Sequence, residues 1–261
     1  GRPVGAFALS EPEAGSNPAE MSTVARREGD EYVINGQKQW ITNGQRGGVC
    51  ILFAKTDPDD PNSVTQFLVP EDAGYEVGKK EEKLGLRASD TTGLTFDDVR
   101  IPAENRLTEE GRGLPAAFHI PTGGRTGIAA QATGLAQAAL DDAISYANDR
   151  EQFDKPISKI QSIRHKIAEM GTKVHASRTM VREAARIADA GEDPRTAASM
   201  AKYYASEAAV DVTNEAVQVH GGYGYTTDFD VERYYRDAKI TTIYEGTSEI
   251  QKEVIARSLL D

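Results

Sequence analysis

The segment with the strongest chemical character is Ile243-Tyr244-Glu245-Gly246-Thr247-Ser248-Glu249. It sets a carboxylate between an apolar stretch and the start of a final helix, for which Thr247 or Ser248 is a suitable cap. In water such a glutamate is only a surface charge. In a dry pocket its affinity for a proton rises, and it can serve as a base. Five further segments carry both a binding reading and a structural one. Ser10-Glu11-Pro12-Glu13-Ala14-Gly15-Ser16-Asn17 offers hydroxyls and amides to the polar edge of a ligand, or is an ordinary loop. Trp40-Ile41-Thr42 holds the only tryptophan of the chain, which either stacks on a flat ring, with Thr42 bonding to its edge, or belongs to a core. Gly123-Gly124-Arg125 can bring a guanidinium and backbone amides to a phosphate or nucleotide, and reads equally as a helix start with a surface arginine. Arg150 with Gln152 and Phe153 joins a cation to an aromatic, at a helix end where a cation is favourable anyway. Gln218-Val219-His220-Gly221-Gly222-Tyr223-Gly224-Tyr225 lets the backbone approach a ligand closely, or simply stops a helix.

Two kinds of scaffold must position these groups. Residues 1–105 alternate short apolar runs with turn signals, as β-structure does. The runs are Thr23 to Arg27, Tyr32 to Ile34, Gln37 to Thr42, Val49 to Ala54, Thr65 to Val69, Tyr75 to Val77 and Gly93 to Val99. Asn35-Gly36 between two of them reads as a hairpin turn. The expectation is about six to eight strands in an antiparallel barrel or sandwich. Residues 106–261 are alanine-rich, with apolar positions recurring at three and four. Ile128, Leu135, Ala139 and Ile144 are expected to share one face of a first helix. Ile160, Ile163, Ile167, Met170, Val174 and Val181 form the seam of a second, and Ala198, Ala201, Ala205, Ala208, Val212 and Val219 that of a third. The fold class is therefore α+β, with a four-helix up-down bundle following the β-domain.

Composition narrows the functions further. The 261 residues are 39% hydrophobic and 27% charged, which suits a globular chain with a core. Thirty Lys and Arg against 41 Asp and Glu give a net charge of -11, the wrong field for holding nucleic acid. There is no apolar run of about 18 residues of the kind that crosses a membrane. The lone Cys50 can make neither an internal disulfide nor a cysteine-rich metal site; it points to a reducing, cytoplasmic setting, and no metal is expected. The chain starts at Gly1, and Pro3 to Leu9 reads like the inside of a fold, so a fragment is expected and no targeting segment can be read.

In order and spacing, these segments together resemble the FAD-dependent acyl-CoA dehydrogenases across nearly the whole chain. Phe7-Ala8-Leu9-Ser10-Glu11-Pro12 with Gly15-Ser16 is similar to the first signature of that family, and Trp40-Ile41-Thr42-Asn43-Gly44 follows at the family's distance. Leu84 to Ser89 and Phe96 to Pro102 look like its last β-domain strands. Gly124-Arg125 with Ile128-Ala129-Ala130, Arg150 to Phe153, Pro156-Ile157 with Gln161, Gln218 to Gly222 and Tyr244 to Thr247 complete the match. Asp154 stands where the family has glycine, and Asn17 where it has aspartate. The helical domain that precedes these segments in family members is not in this sequence, so the resemblance covers the middle and C-terminal domains.

The resemblance implies roles position by position. Phe7, Leu9, Ser10, Gly15 and Ser16 would hold the flavin ring of FAD, with Trp40, Ile41 and Thr42 on its other side. Arg150, Gln152, Phe153, Gln161, Gln218, Val219, His220, Gly221 and Gly222 would bind the ADP half, partly across a subunit interface, as would Thr247, Ser248 and Glu249. Ser16, Thr122, Gly123, Gly124, Arg125, Tyr244 and Gly246 would touch acyl-CoA, and Glu245 would be the catalytic base. Some relatives place the base at the position of Gly124, which glycine cannot serve. The implied reaction is α,β-dehydrogenation of a short or medium straight-chain acyl-CoA to the trans-2-enoyl-CoA. Electrons would pass to an electron-transfer flavoprotein, and the protein would assemble as a homotetramer, a dimer of dimers. The alternatives are an acyl-CoA oxidase reoxidised by oxygen and a truncated, non-catalytic scaffold.

Overall fold

The computed structural model describes residues 4–119 and 121–260, and the chain divides into two units. A sheet unit comprises Gly1–Lys83 and Arg87–Ile120, and a helical unit comprises Leu84–Leu86 and Pro121–Asp261.

The sheet unit is built from β1 (Val4–Ala8), β2 (Val24–Glu28), β3 (Glu31–Thr42), β4 (Gly47–Lys55), β5 (Val64–Pro70), β6 (Glu76–Val77) and β7 (Thr91–Pro102). These form one seven-stranded sheet in the order β1-β4-β2-β3-β7-β6, with β5 also on β4. Most pairings are antiparallel, as expected, but β1 and, at Val24, β2 run parallel to β4. The β2–β3 hairpin turns at Gly29-Asp30, where Gly29 adopts φ +66°, a conformation glycine reaches at no steric cost. Asn35-Gly36 is not a turn. It lies inside β3, where the register against β7 shifts between Ile34 and Gly36, and Asn35 exchanges hydrogen bonds of 3.0 and 2.9 Å with Asp98. The turn-forming residues thus make a β-bulge, with Asp98 at φ +49° opposite it.

That bulge has a packing consequence. Tyr32 and Ile34 are buried before it, and Leu94, Phe96, Val99 and Ile101 of β7 change parity across Asp97-Asp98, so that all keep facing the core. Leu52, Phe67 and Val69 complete that core. A smaller cluster joins Ala14, Met21, Phe53 and Val64 to Ala117 of α1 (Gly113–His119). The change of texture in the sequence falls at 105/106, yet α1 packs with the sheet unit.

The helical unit contains α2 (Pro121–Asp149), a hairpin of β8 (Glu151–Gln152) and β9 (Lys155–Pro156), α3 (Gln161–Asp189), α4 (Arg195–His220), α5 (Val231–Ala238) and α6 (Ser248–Leu260). Helix α4 packs against α2, α3, α5 and α6 and is the spine of the unit. The face of α2 differs from expectation. Ala139 is buried as expected, together with Ala129, Ala132, Ala136, Leu140, Ala143 and Ala147, but Ile128 and Leu135 are only half-buried and Ile144 is 38% exposed. The reason is the partner: α4 presents Ala198, Ala201, Ala205, Ala209 and Ala216, and facing seams of small side chains let two helices approach closely. The α3 and α4 seams fall as expected, with Met170, Val174 and Val212 fully enclosed. Among the described residues no helix is long and apolar enough to cross a membrane.

Candidate active site

In the sheet unit, the loop after β1 is held by a buried ion pair. Lys38 of β3 reaches Glu11 with Nζ 2.8 Å from Oε1, both side chains almost wholly enclosed, and donates to Leu9 O at 3.1 Å. Glu11 also accepts from Ser22 N at 2.6 Å, Ser22 Oγ at 2.9 Å and Thr23 N at 3.0 Å. Burial by itself would raise the Glu11 carboxyl, but the Lys38 ammonium and these hydrogen bonds bring it down to about 2. Burial likewise pulls the Lys38 ammonium to about 8, against the opposing attraction of Glu11. The backbone is tied as well, Gln39 N donating to Ser10 O at 2.9 Å.

The consequence is a presented rim. Ser10 is half-buried, Gly15 and Ser16 are exposed, and Phe7, 40% exposed, packs edge-on to Phe53. Trp40 is 62% exposed and stands at φ +64°, inside a second register shift of β3. A left-handed residue within a strand turns its side chain off the regular alternation, which frees a broad aromatic face that the sheet would otherwise bury. Thr42 is exposed at the strand end, while the Ile41 side chain lies in the core, leaving only its backbone for a ligand.

In the helical unit, Glu245 and Gly246 form a tight turn with φ +53° and +86° between α5 and α6. Thr247 caps α6, its Oγ1 accepting from Ile250 N at 3.3 Å, and Ser248 Oγ donates to Glu207 Oε1 at 2.5 Å. Tyr244 OH donates to Gln131 Oε1 of α2 at 2.7 Å. The Glu245 side chain is exposed and lies against Gly124, where a Cβ would come within 2.8 Å of Oε2. Arg125 is buried, donates to Ser199 Oγ at 3.3 Å and has an Nε without a partner. Burial lowers the Arg125 guanidinium from its ordinary value, Glu245 opposing this and Arg195 reinforcing it. Gly123 is exposed with open space at its Cβ position, and the side chain of Thr122 lies outside the described residues.

A separate cavity of about 550 Å³ opens where α2 and α4 end, lined by Tyr146, Arg150, Gln152, His220, Gly221 and Gly222, among others. Arg150 lies over the Tyr223 ring at 5.7 Å, and His220 stacks on Tyr146 with ring centroids 4.2 Å apart. Burial lowers the His220 imidazole, while its contact with Ala216 O at 2.8 Å and Asp142 work the other way. A cation, flat rings and bare glycine backbone at Gly221 and Gly222, which have open space at their Cβ positions, suit an anionic nucleotide. Of the residues expected there, Arg150, Gln152, Val219, His220, Gly221 and Gly222 are brought together. Phe153, 84% exposed at the β8–β9 turn, does not line the cavity, nor do Gln161 and Gln218, both on helix surfaces, nor Thr247, Ser248 and Glu249 at the start of α6.

Sequence reasoning passed over Lys38, Tyr146 and Lys202. Lys202 had a signal: it lies four residues after Ala198 and three before Ala205, a charge within an otherwise apolar seam.

One chain thus carries a mixed β-sheet unit, a bundle spined by an alanine-rich helix, and a glutamate on a left-handed turn before the last helix, which places it in a class of α+β proteins. The family model for the middle domain of acyl-CoA dehydrogenases matches residues 6–99 and that for their C-terminal domain matches residues 111–260; the chain belongs to the acyl-CoA dehydrogenase family. It is 48% identical over 262 residues to the mitochondrial short-chain specific acyl-CoA dehydrogenase of Rattus norvegicus, covering 100% of this chain and spanning 64% of the rat protein. Butyryl-CoA dehydrogenase of Megasphaera elsdenii superposes with a TM-score of 0.97 at 45% identity, covering 99% of this chain and 68% of that one. A chain in the structure described as the electron transferring flavoprotein of Acidaminococcus fermentans superposes with a TM-score of 0.96 at 44% identity, with 99% and 68% coverage.

Proposed function

We propose that the protein dehydrogenates short-chain acyl-CoA thioesters to trans-2-enoyl-CoA, with Glu245 as the base. The observation that carries this reading is the Glu245 carboxylate set on a left-handed turn against a glycine, with the buried cations Arg125 and Lys202 among its charged neighbours. A carboxylate so placed has room beside Gly124. The similarity to short-chain specific and butyryl-CoA enzymes supports the substrate class. Residues 1–105 are read as the flavin- and acyl-CoA-binding domain, and 106–261 as the domain of FAD binding, the base and oligomerisation.

The residues of each unit fit a part of FAD. In the helical unit, Arg150, Gln152, His220 and the Gly221-Gly222 backbone would hold an ADP half; in the sheet unit, the rim of Phe7, Ser10, Ser16, Trp40 and Thr42 would hold a flavin ring. FAD, when bound, supplies the acceptor for the β-hydrogen. The chain's own task is the α-proton, which is weakly acidic until charge on the thioester oxygen is stabilised. The backbone amide of Glu245 would donate to that oxygen while the carboxylate takes the proton, the acyl chain being held at the Gly124 side. An apolar acyl chain would exclude water and strengthen the carboxylate as a base. Transfer of electrons to an electron-transfer flavoprotein, assembly as a homotetramer and a cytoplasmic location belong to the same reading.

The test is E245Q in full-length, flavin-loaded protein. The variant should keep its yellow colour and bind butyryl-CoA, yet fail to bleach on its addition. Bleaching at the wild-type rate refutes Glu245 as the base.

A further inference from the structure

We propose that Lys202 is a positioning residue for the Glu245 base, fixing the turn that carries the carboxylate and setting the local charge around it. The proposal rests on the reading of Glu245 given above.

Lys202 is fully enclosed within the alanine seam of α4, and its Nζ donates to Gly246 O at 2.7 Å. Gln251 of α6 donates to the same carbonyl at 2.9 Å and to Glu245 O at 3.1 Å. Of the carbonyls of these two consecutive left-handed residues, that of Gly246 is therefore held from both sides, by a cation on α4 and an amide on α6, and that of Glu245 by the same amide. A non-glycine residue at positive φ persists only where its surroundings impose it, and these donors are what the structure provides. Placing an ammonium among alanines is costly, so its retention there calls for a task that an apolar side chain could not perform.

The task extends along one face of α4. Ser199, Lys202 and Ser206, spaced three and four apart, reach respectively Arg125, Gly246 O and Thr241 O, the last at 2.8 Å. One rigid helix thereby indexes the neighbour of Gly124 on α2, the base-bearing turn and the segment leading into it. The charged groups acting on Lys202 are Glu207 on its own helix, Glu245 on the turn, Arg125 on α2 and Glu249 on α6. Burial draws its ammonium down to about 8, the three carboxylates opposing this and Arg125 reinforcing it, so it is still a cation at neutral pH.

The experiment compares K202M, K202R and E245Q in full-length, flavin-loaded protein, measuring flavin reduction by butyryl-CoA across pH and amide hydrogen exchange over residues 240–248. Met removes the charge and the donor at similar volume, and Arg keeps both. In K202M we expect reduction slowed about tenfold or more with butyryl-CoA affinity within about twofold. The acid limb should move to higher pH by about one unit as the cation is lost, and exchange over 240–248 should quicken. K202R should restore the acid limb. A K202M protein with the wild-type acid limb and wild-type exchange, alongside an inert E245Q, overturns the proposal while leaving the base intact. An active E245Q instead removes the underlying reading. If K202M does not fold, K202Q carries the test, and an unmoved acid limb in that variant is the refuting result.

Discussion

Gly124 leaves the Glu245 carboxylate the space it occupies: a Cβ on Gly124 would lie 2.8 Å from Oε2 and 3.3 Å from Cδ. The atoms in conflict are the end of a flexible side chain, so a methyl group there displaces the carboxylate without breaking the backbone. G124A is therefore expected to fold with an unfolding midpoint close to that of the parent, yet to reduce its flavin with butyryl-CoA at least about tenfold more slowly, because misplacement of a base by about 1 Å is expensive. Thermal melts and single-turnover rates on the same preparation check both halves.

The Glu11–Lys38 pair leads to a stability prediction. Lowering Glu11 to about 2 favours the folded state, while lowering Lys38 to about 8 opposes it by a similar amount, so the intact pair is close to neutral in stability. Removing one partner strands the other charge. K38M should cost about 3–5 kcal/mol in urea unfolding, and K38M with E11Q should recover much of that.

The same pair sets an acid dependence. The folded Glu11 value lies below its ordinary 4.5, so its contribution is present above about pH 4.5 and is lost as pH falls towards about 2. It amounts to about 3 kcal/mol. The fall in stability from pH 5 to pH 2.5 should be correspondingly shallower in E11Q, as chemical denaturation at each pH would record.

Arg150 is exposed and rests on Tyr223 at the rim of the cavity, where its guanidinium contributes little to folding. Its loss should be felt by an anionic ligand. R150A is expected to weaken FAD retention by about 10- to 100-fold, the range of a charge-assisted hydrogen bond, with the melting temperature of flavin-free protein little changed. Flavin remaining after serial dilution measures it.

At Gly224 the obstruction is backbone. A Cβ would lie 2.6 Å from Val217 O, so G224A must move the end of α4 and with it His220 and the cavity wall. A loss of about 2 kcal/mol or more is expected, with weaker flavin binding following from it.

Much of this was legible in the sequence, and the misses share a cause. Strand and helix periodicity separated the sheet part from the helical part and located the α3 and α4 seams, because each reports on local alternation of buried and exposed positions. The Asn35-Gly36 dipeptide misled because the same backbone freedom serves a turn or a bulge, and pairing with Asp98, 63 residues away, decides which. On α2 the expected face held Ala139 but not Ile144, because the alanines of α4 select mostly small side chains for the contact.

By itself the sequence determined the class of elements, their order and the set of residue types able to do chemistry, since these follow from composition and short-range spacing. The tertiary structure alone decided that Lys38 meets Glu11 across 27 residues and that Lys202 meets Gly246 across 44. It also turned Trp40 outward on a left-handed backbone and cleared Gly124 for the carboxylate of Glu245. The physical reason is the same in each case: a buried charge or a strained dihedral persists only through partners that chain folding brings from afar, and no local pattern names those partners.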